Sequence, residues 1–288
     1  MIRLDAATVL LQWATGGLLF LWVTTRRREV GIGYGWLLRA VYAVLALGSA
    51  ATGFLVDAVP VRDACAVGVV LAATVALGVS VVRRKAGVAG ERARKERKAN
   101  RVAVMAGKPA PGTDADTGPE PTPVREFPPA LDLVAPVIGL VGLVSAGIAA
   151  GGPDGLAVAR TVAGALFLGA VSDAMLLGHW YLVQPRLGRG PLTELNRWVA
   201  LTWPLEVGLL LWPTGMLSVL SGTVDDGWGG TLGWFWVACA VATLILTGVT
   251  HAALKEKAYS AVMAATGLLY LAILTAFGTD LVARAVLA

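Results

Sequence analysis

The stretch AVARTVAGALFLGAVSDAMLLGHWYLV (157–183) runs for 27 residues with Arg160 and Asp173 as its only formal charges. About 20 apolar residues, rising about 1.5 Å each, cross the hydrocarbon core of a bilayer, so this run reads as a membrane span. The same test along the chain finds seven more: 6–24, 34–55, 64–82, 130–150, 198–220, 231–250 and 258–282. The expected fold is therefore an all-α polytopic membrane protein with eight transmembrane helices. Composition agrees. At 56% apolar residues, 15% charged residues and a mean hydropathy of +0.69, the 288-residue chain is too apolar for an ordinary soluble domain. The first span reads as a retained helix, because it lacks a clear small-residue cleavage site and RRR (26–28) follows it directly.

Orientation follows from the basic residues. With the N-terminus outside, 20 of the 24 Lys and Arg fall in cytoplasmic segments, and only Arg3, Arg62, Arg160 and Arg284 fall outside. The positive-inside rule then gives N-out and C-out in a bacterial-type cell (inner) membrane. The net charge of +5 needs no nucleic-acid partner, since juxtamembrane cations face anionic inner-leaflet lipid. Cys65 and Cys239, each within ACAV, read as small buried residues.

One segment is not membrane. VRRKAGVAGERARKERKANR (82–101) holds nine basic and two acidic residues and reads as a basic helix on the inner leaflet. GKPAPGTDADTGPEPTPVREFPP (107–129) holds seven of the 14 prolines and reads as disordered linker. The domain reading is thus helices one to three in 1–83, a cytoplasmic linker over 84–129, a fourth helix at 130–150 and a second four-helix unit over 157–284.

The two units resemble one another. LLFLWVTTRRREVGIGYGWLLRAV (18–41) lies without gaps on LLGHWYLVQPRLGRGPLTELNRWV (176–199), pairing Trp22 with Trp180, Arg28 with Arg186 and Arg39 with Arg197. ACAV recurs at 64–67 and 238–241. Four spans in each half, both starting outside, predict a parallel 4+4 repeat.

The repeat exposes a contrast. Ionisable groups inside a membrane are costly and become functional candidates. The second half carries Asp173, His179, Glu206 and His251 where the first half offers Thr15, Leu21, Gly48 and an apolar position near Val81. His179 and His251 lie at matched depth on the fifth and seventh helices, which are diagonal in an up-down bundle. That pattern suits the axial ligands of a b-type haem, with Trp180 and Tyr181 beside it. Asp173 and Glu206 read as a second, proton- or cation-handling layer near the midplane, in which two carboxyls at one depth would share a proton. Three functions fit: a redox membrane subunit with haem b and quinone or proton chemistry, a proton- or cation-coupled transporter using Asp173 and Glu206, and a non-catalytic subunit whose basic segment docks a partner.

Overall fold

The structure, a computed structural model, describes residues 4–86, 88, 96, 99–102, 104–105, 126–151, 154–185 and 187–288. Among these residues every regular element is helical, and eight helices are long: α1 (Ala6–Thr25), α2 (Ile32–Leu55), α3 (Pro60–Val82), α4 (Val134–Ala149), α5 (Asp154–Val183), α6 (Gly190–Leu211), α7 (Thr231–Lys255) and α8 (Tyr259–Val286). A 3-10 turn, Pro129–Leu133, leads into α4, and a short helix, Met216–Leu220, lies between α6 and α7. Seven of the eight, with α4 counted together with its leading turn as Pro129–Ala149, are long and apolar enough to cross a membrane. The exception is α6, which carries Glu194, Arg197 and Glu206. The chain is a multi-pass helical membrane protein. The expected inner-leaflet helix and disordered linker of 84–129 lie mostly outside the described residues.

Local chemistry sets the helix ends. Asp5 caps α1, its carboxylate accepting from the Ala7 and Thr8 amides at 3.1 Å each. Pro60 starts α3 where its missing N–H costs nothing. Before α7, the Asp226 carboxylate accepts from the amides of Gly230, Trp228 and Leu232 at 2.8–2.9 Å. These donors, Gly230 first, hold the Asp226 carboxyl below its ordinary range.

The helices pack as two rings of four. In the first, α1 touches α2 and α4, while α3 touches α2 and α4. In the second, α5 touches α6 and α8, while α7 touches α6 and α8. The rings meet chiefly along α1 and α5, with α4 also against α5. Accordingly α5 and α1 are the most enclosed spans, 78% and 67% buried over their apolar windows, while the other five spans lie between 28% and 44%. Gly16 makes the α1–α5 approach possible, since a Cβ there would stand 1.8 Å from the Ala165 carbonyl oxygen.

Polarity is inverted relative to a water-soluble protein. Val44, Leu201 and Leu274 are at least 64% exposed, whereas Gln12, Arg62, Arg160, Asp173, Glu206, Asp280 and Arg284 are at most 1% exposed. Lipid solvates the outside, so polar groups must find partners within. Below, the N-face is the end of the bundle that carries the start of α1, and the linker face is the other end.

Candidate functional site: a buried carboxyl pair in the second ring

Glu206 enters the second ring from α6 near the N-face. Pro204, two residues earlier, sits inside α6 without ending it. The groups around Glu206 are Asp280 and Arg284 of α8 and Arg160 of α5, and its carboxyl lies within hydrogen-bonding reach of that of Asp280. Asp280 accepts from Arg284 Nε at 2.8 Å through Oδ2. Its other oxygen, and both oxygens of Glu206, have no donor among the described residues. Two carboxylates offer only acceptors to each other, so a bond between these carboxyls requires one proton held between them. That proton engages one oxygen of each carboxyl, two of the three left without a donor, and removes the repulsion of two close anions.

The surrounding elements fix this geometry. Arg160 donates through Nε to the Leu209 carbonyl at 3.0 Å and through Nη2 to that of Trp212 at 3.1 Å. It thereby satisfies carbonyls at the C-terminus of α6, where a helix presents unpaired acceptors and partial negative charge. From the first ring, Gln12 of α1 reaches the same region. A Cβ on Gly164 of α5 would lie 1.9 Å from Gln12 Nε2 and 2.7 Å from Asp280 Oδ1, so only glycine lets the two approach. Neither polar end of the fully buried Gln12 amide has a partner among the described residues.

Asp173 is buried as completely as Glu206, but among other groups. Tyr42 of α2 donates its hydroxyl to Asp173 Oδ1, and the Tyr34 hydroxyl lies 3.4 Å from the Asp173 carbonyl. Tyr42 reaches α5 across α1, because its ring occupies the space a side chain on Gly17 would fill. Next door, Trp13 Nε1 donates to Ser172 Oγ at 2.8 Å. Asp173 Oδ2 has no partner among the described residues. The expected Asp173–Glu206 layer is therefore two stations. Arg160 is level with Leu209; from there Asp173 lies thirteen residues along α5 and Glu206 three along α6, a depth difference on the order of 15 Å.

The histidines occupy the second ring's periphery. His179 is exposed, and its Nδ1 lies 3.1 Å from the Tyr270 hydroxyl of α8. The rings meet edge to face with centroids 6.3 Å apart. His251 is half-buried on α7, the diagonal helix. Leu177, Leu195, Leu254 and Leu269, one from each helix of this ring, are buried in one packed core. Trp180 donates to Gln184 Oε1 at 3.2 Å and packs on Tyr34, while Tyr181 donates to the Gly188 carbonyl at 2.5 Å. No group of three or more His, Cys, Asp or Glu suited to a metal ion occurs among the described residues.

Sequence reasoning missed Arg160, Asp280, Arg284 and Gln12. It treated Arg160 and Arg284 as outer boundary charges, yet both are 1% exposed. The signal was present in GTDLVAR (278–284), where Asp280 and Arg284 stand four apart inside an apolar helix and pair as such neighbours do.

Comparison with known proteins leaves the geometry to stand alone: no protein-family model, curated protein or solved structure matches this chain.

Proposed function

We propose that the chain is an eight-span membrane protein that couples proton movement to transport, with Glu206 and Asp280 as the proton-holding pair. The observation that carries this reading is the pair itself: two enclosed carboxyls in hydrogen-bonding reach, three oxygens without a donor among the described residues, and two arginines beside them. Buried ionisable groups are expensive in a membrane and mark ion or proton sites more often than scaffolding. Asp173, with Tyr42 and Tyr34, is a second station nearer the linker face.

The architecture proposed is a parallel 4+4 repeat with both ends outside and the 84–129 linker in the cytoplasm of a bacterial-type cell. Each ring joins its helices in the same cyclic order, and the first helices of the rings, α1 and α5, form the contact between them, which supports the repeat. The distribution of Lys and Arg supports the orientation, and the basic 83–101 segment would face anionic inner-leaflet lipid. An impermeant thiol reagent added outside should then modify Ser221→Cys and spare Ala110→Cys; the opposite pattern would overturn the orientation.

The redox alternative, with His179 and His251 as axial ligands of a haem b and a quinone as partner, demands a rearrangement. His179 would have to leave Tyr270 and turn into a ring filled by Leu177, Leu195, Leu254 and Leu269. A reduced-minus-oxidised absorbance spectrum of the purified protein tests it directly.

For the proton reading, the protein is reconstituted in liposomes carrying an internal pH dye, and uptake is driven by a potassium diffusion potential. Glu206→Gln should reduce uptake by about a hundredfold, as removal of a proton-transfer group does, while His179→Ala leaves it unchanged. Wild-type uptake persisting in a folded Glu206→Gln protein would refute the reading.

A further inference from the structure

On the N-face, the two rings leave a narrow cleft with room for about one water, walled by Asp5, Thr8, Arg62, Ala146, Thr161 and Arg284. Its rim is exposed at Asp57 and Ala149. Nothing in the candidate site requires this cleft, yet its inner wall ends on the residue that grips the carboxyl pair. Arg284 lines it and donates Nε to Asp280.

We propose that this cleft is the proton entry to the Glu206–Asp280 pair, with the Arg62–Asp5 ion pair at its mouth, an inference that rests on the proton-handling reading above. Three observations carry it. Polar side chains continue from surface to site: Asp5 keeps 17% side-chain exposure while pairing with Arg62, and Arg284 and Asp280 follow at 1% and 0%. Gln12, fully buried with neither end of its amide partnered among the described residues, stands beside Asp280 and can receive water entering from this side. Toward the linker face, by contrast, the second ring is filled by Leu177, Leu195, Val199, Leu254 and Leu269, which offer a proton no acceptor. A hydronium in the cleft gives its proton to the carboxyl pair and leaves as water, with Arg284 holding Asp280 in position rather than relaying.

The test uses the full chain with Cys65→Ser and Cys239→Ser, reconstituted in liposomes and carrying Thr161→Cys on the buried wall or Ala149→Cys on the rim. A positively charged methanethiosulfonate is added to one face at a time. Thr161→Cys should react only from the N-face, and its modification should cut proton uptake by about a hundredfold, to the level of Glu206→Gln. The rim reporter should react from the same face, which identifies that face independently. Reaction of Thr161→Cys from the linker face, no reaction from the N-face while the rim reporter reacts, or modification that leaves uptake intact would each overturn the entry path. Those outcomes with Glu206→Gln still blocking uptake reject the cleft alone, whereas uptake indifferent to Glu206→Gln rejects the proton site itself.

Discussion

Each ring buries an ionic cluster near the N-face, and the two clusters differ in how completely they are satisfied. In the first ring, Arg62 gives Nε to Asp63 at 2.8 Å, Nη1 to Asp5 and Thr8, and Nη2 to the Asp57 carbonyl at 2.6 Å. Asp63 also caps the Val59 amide at 2.8 Å. In the second ring, Asp280 has one oxygen on Arg284, while its other oxygen and the whole Glu206 carboxyl have no donor among the described residues. A satisfied cluster holds helices together and resists change; a cluster short of a donor takes up a proton. The rings thus bury similar groups with unequal satisfaction, and the sequence shows where part of the difference arises. Laying ACAV on ACAV places Trp236 and Val237 of α7 where α3 has Arg62 and Asp63. The second ring draws its charges from α5, α6 and α8 instead.

This contrast breaks most easily at Arg62. Arg62→Ala leaves Asp63 fully buried without its cation and should cost about 3–5 kcal/mol, visible as a large loss of thermal stability in detergent. Should Arg62→Ala be as stable as wild type, the first cluster would be no more structural than the second. At the second cluster, Glu206→Gln should shift stability by less than about 1 kcal/mol, because the amide can donate to the orphaned Asp280 oxygen while proton uptake fails.

The Asp173 station lies between these extremes. Gly17→Ala puts a methyl group into the space of the Tyr42 ring and should destabilise by about 1–3 kcal/mol through overpacking. Tyr42→Phe removes the only side-chain donor to Asp173 among the described residues and should cost about as much, 1–3 kcal/mol, without filling space. Equal loss of proton uptake in both variants would sharpen Asp173 into a transport station, and loss of stability alone would make it a clamp between the rings.

The smallest effect belongs to the loop before α7. The Asp226 carboxyl lies below its ordinary range in the folded protein, so its contribution is present above the unfolded value and is lost as pH falls through the folded one. Hydrogen exchange at the Gly230 and Leu232 amides should accelerate, relative to neighbouring amides, in that acidic window, with no effect on the buried clusters. Unchanged protection there would remove the assigned role of this cap.

Sequence alone determined the class of the protein and part of its site. Long apolar runs can satisfy their backbone in lipid only as helices, so membrane helices were legible from length and hydropathy, with α6 departing because Glu194, Arg197 and Glu206 interrupt it. Asp173 and Glu206 were legible because a carboxyl in such a run is rare, and both are buried. Their partners were not. The pairing of Glu206 with Asp280, the reach of Tyr42 over Gly17 to Asp173, and the approach of Gln12 at Gly164 join residues 74, 131 and 152 positions apart. Arg39 and Arg197 align when the two halves of the sequence are overlaid, yet Arg39 is buried in a two-pronged bond to Asp132 at 2.7–2.8 Å and Arg197 is exposed. His179 has an equally apolar neighbourhood in sequence but faces outward with Tyr270. Hydropathy records which residues can enter a membrane. Which face of a helix turns toward another helix rather than toward lipid depends on how the two rings close and meet along α1 and α5, and that is decided only in three dimensions.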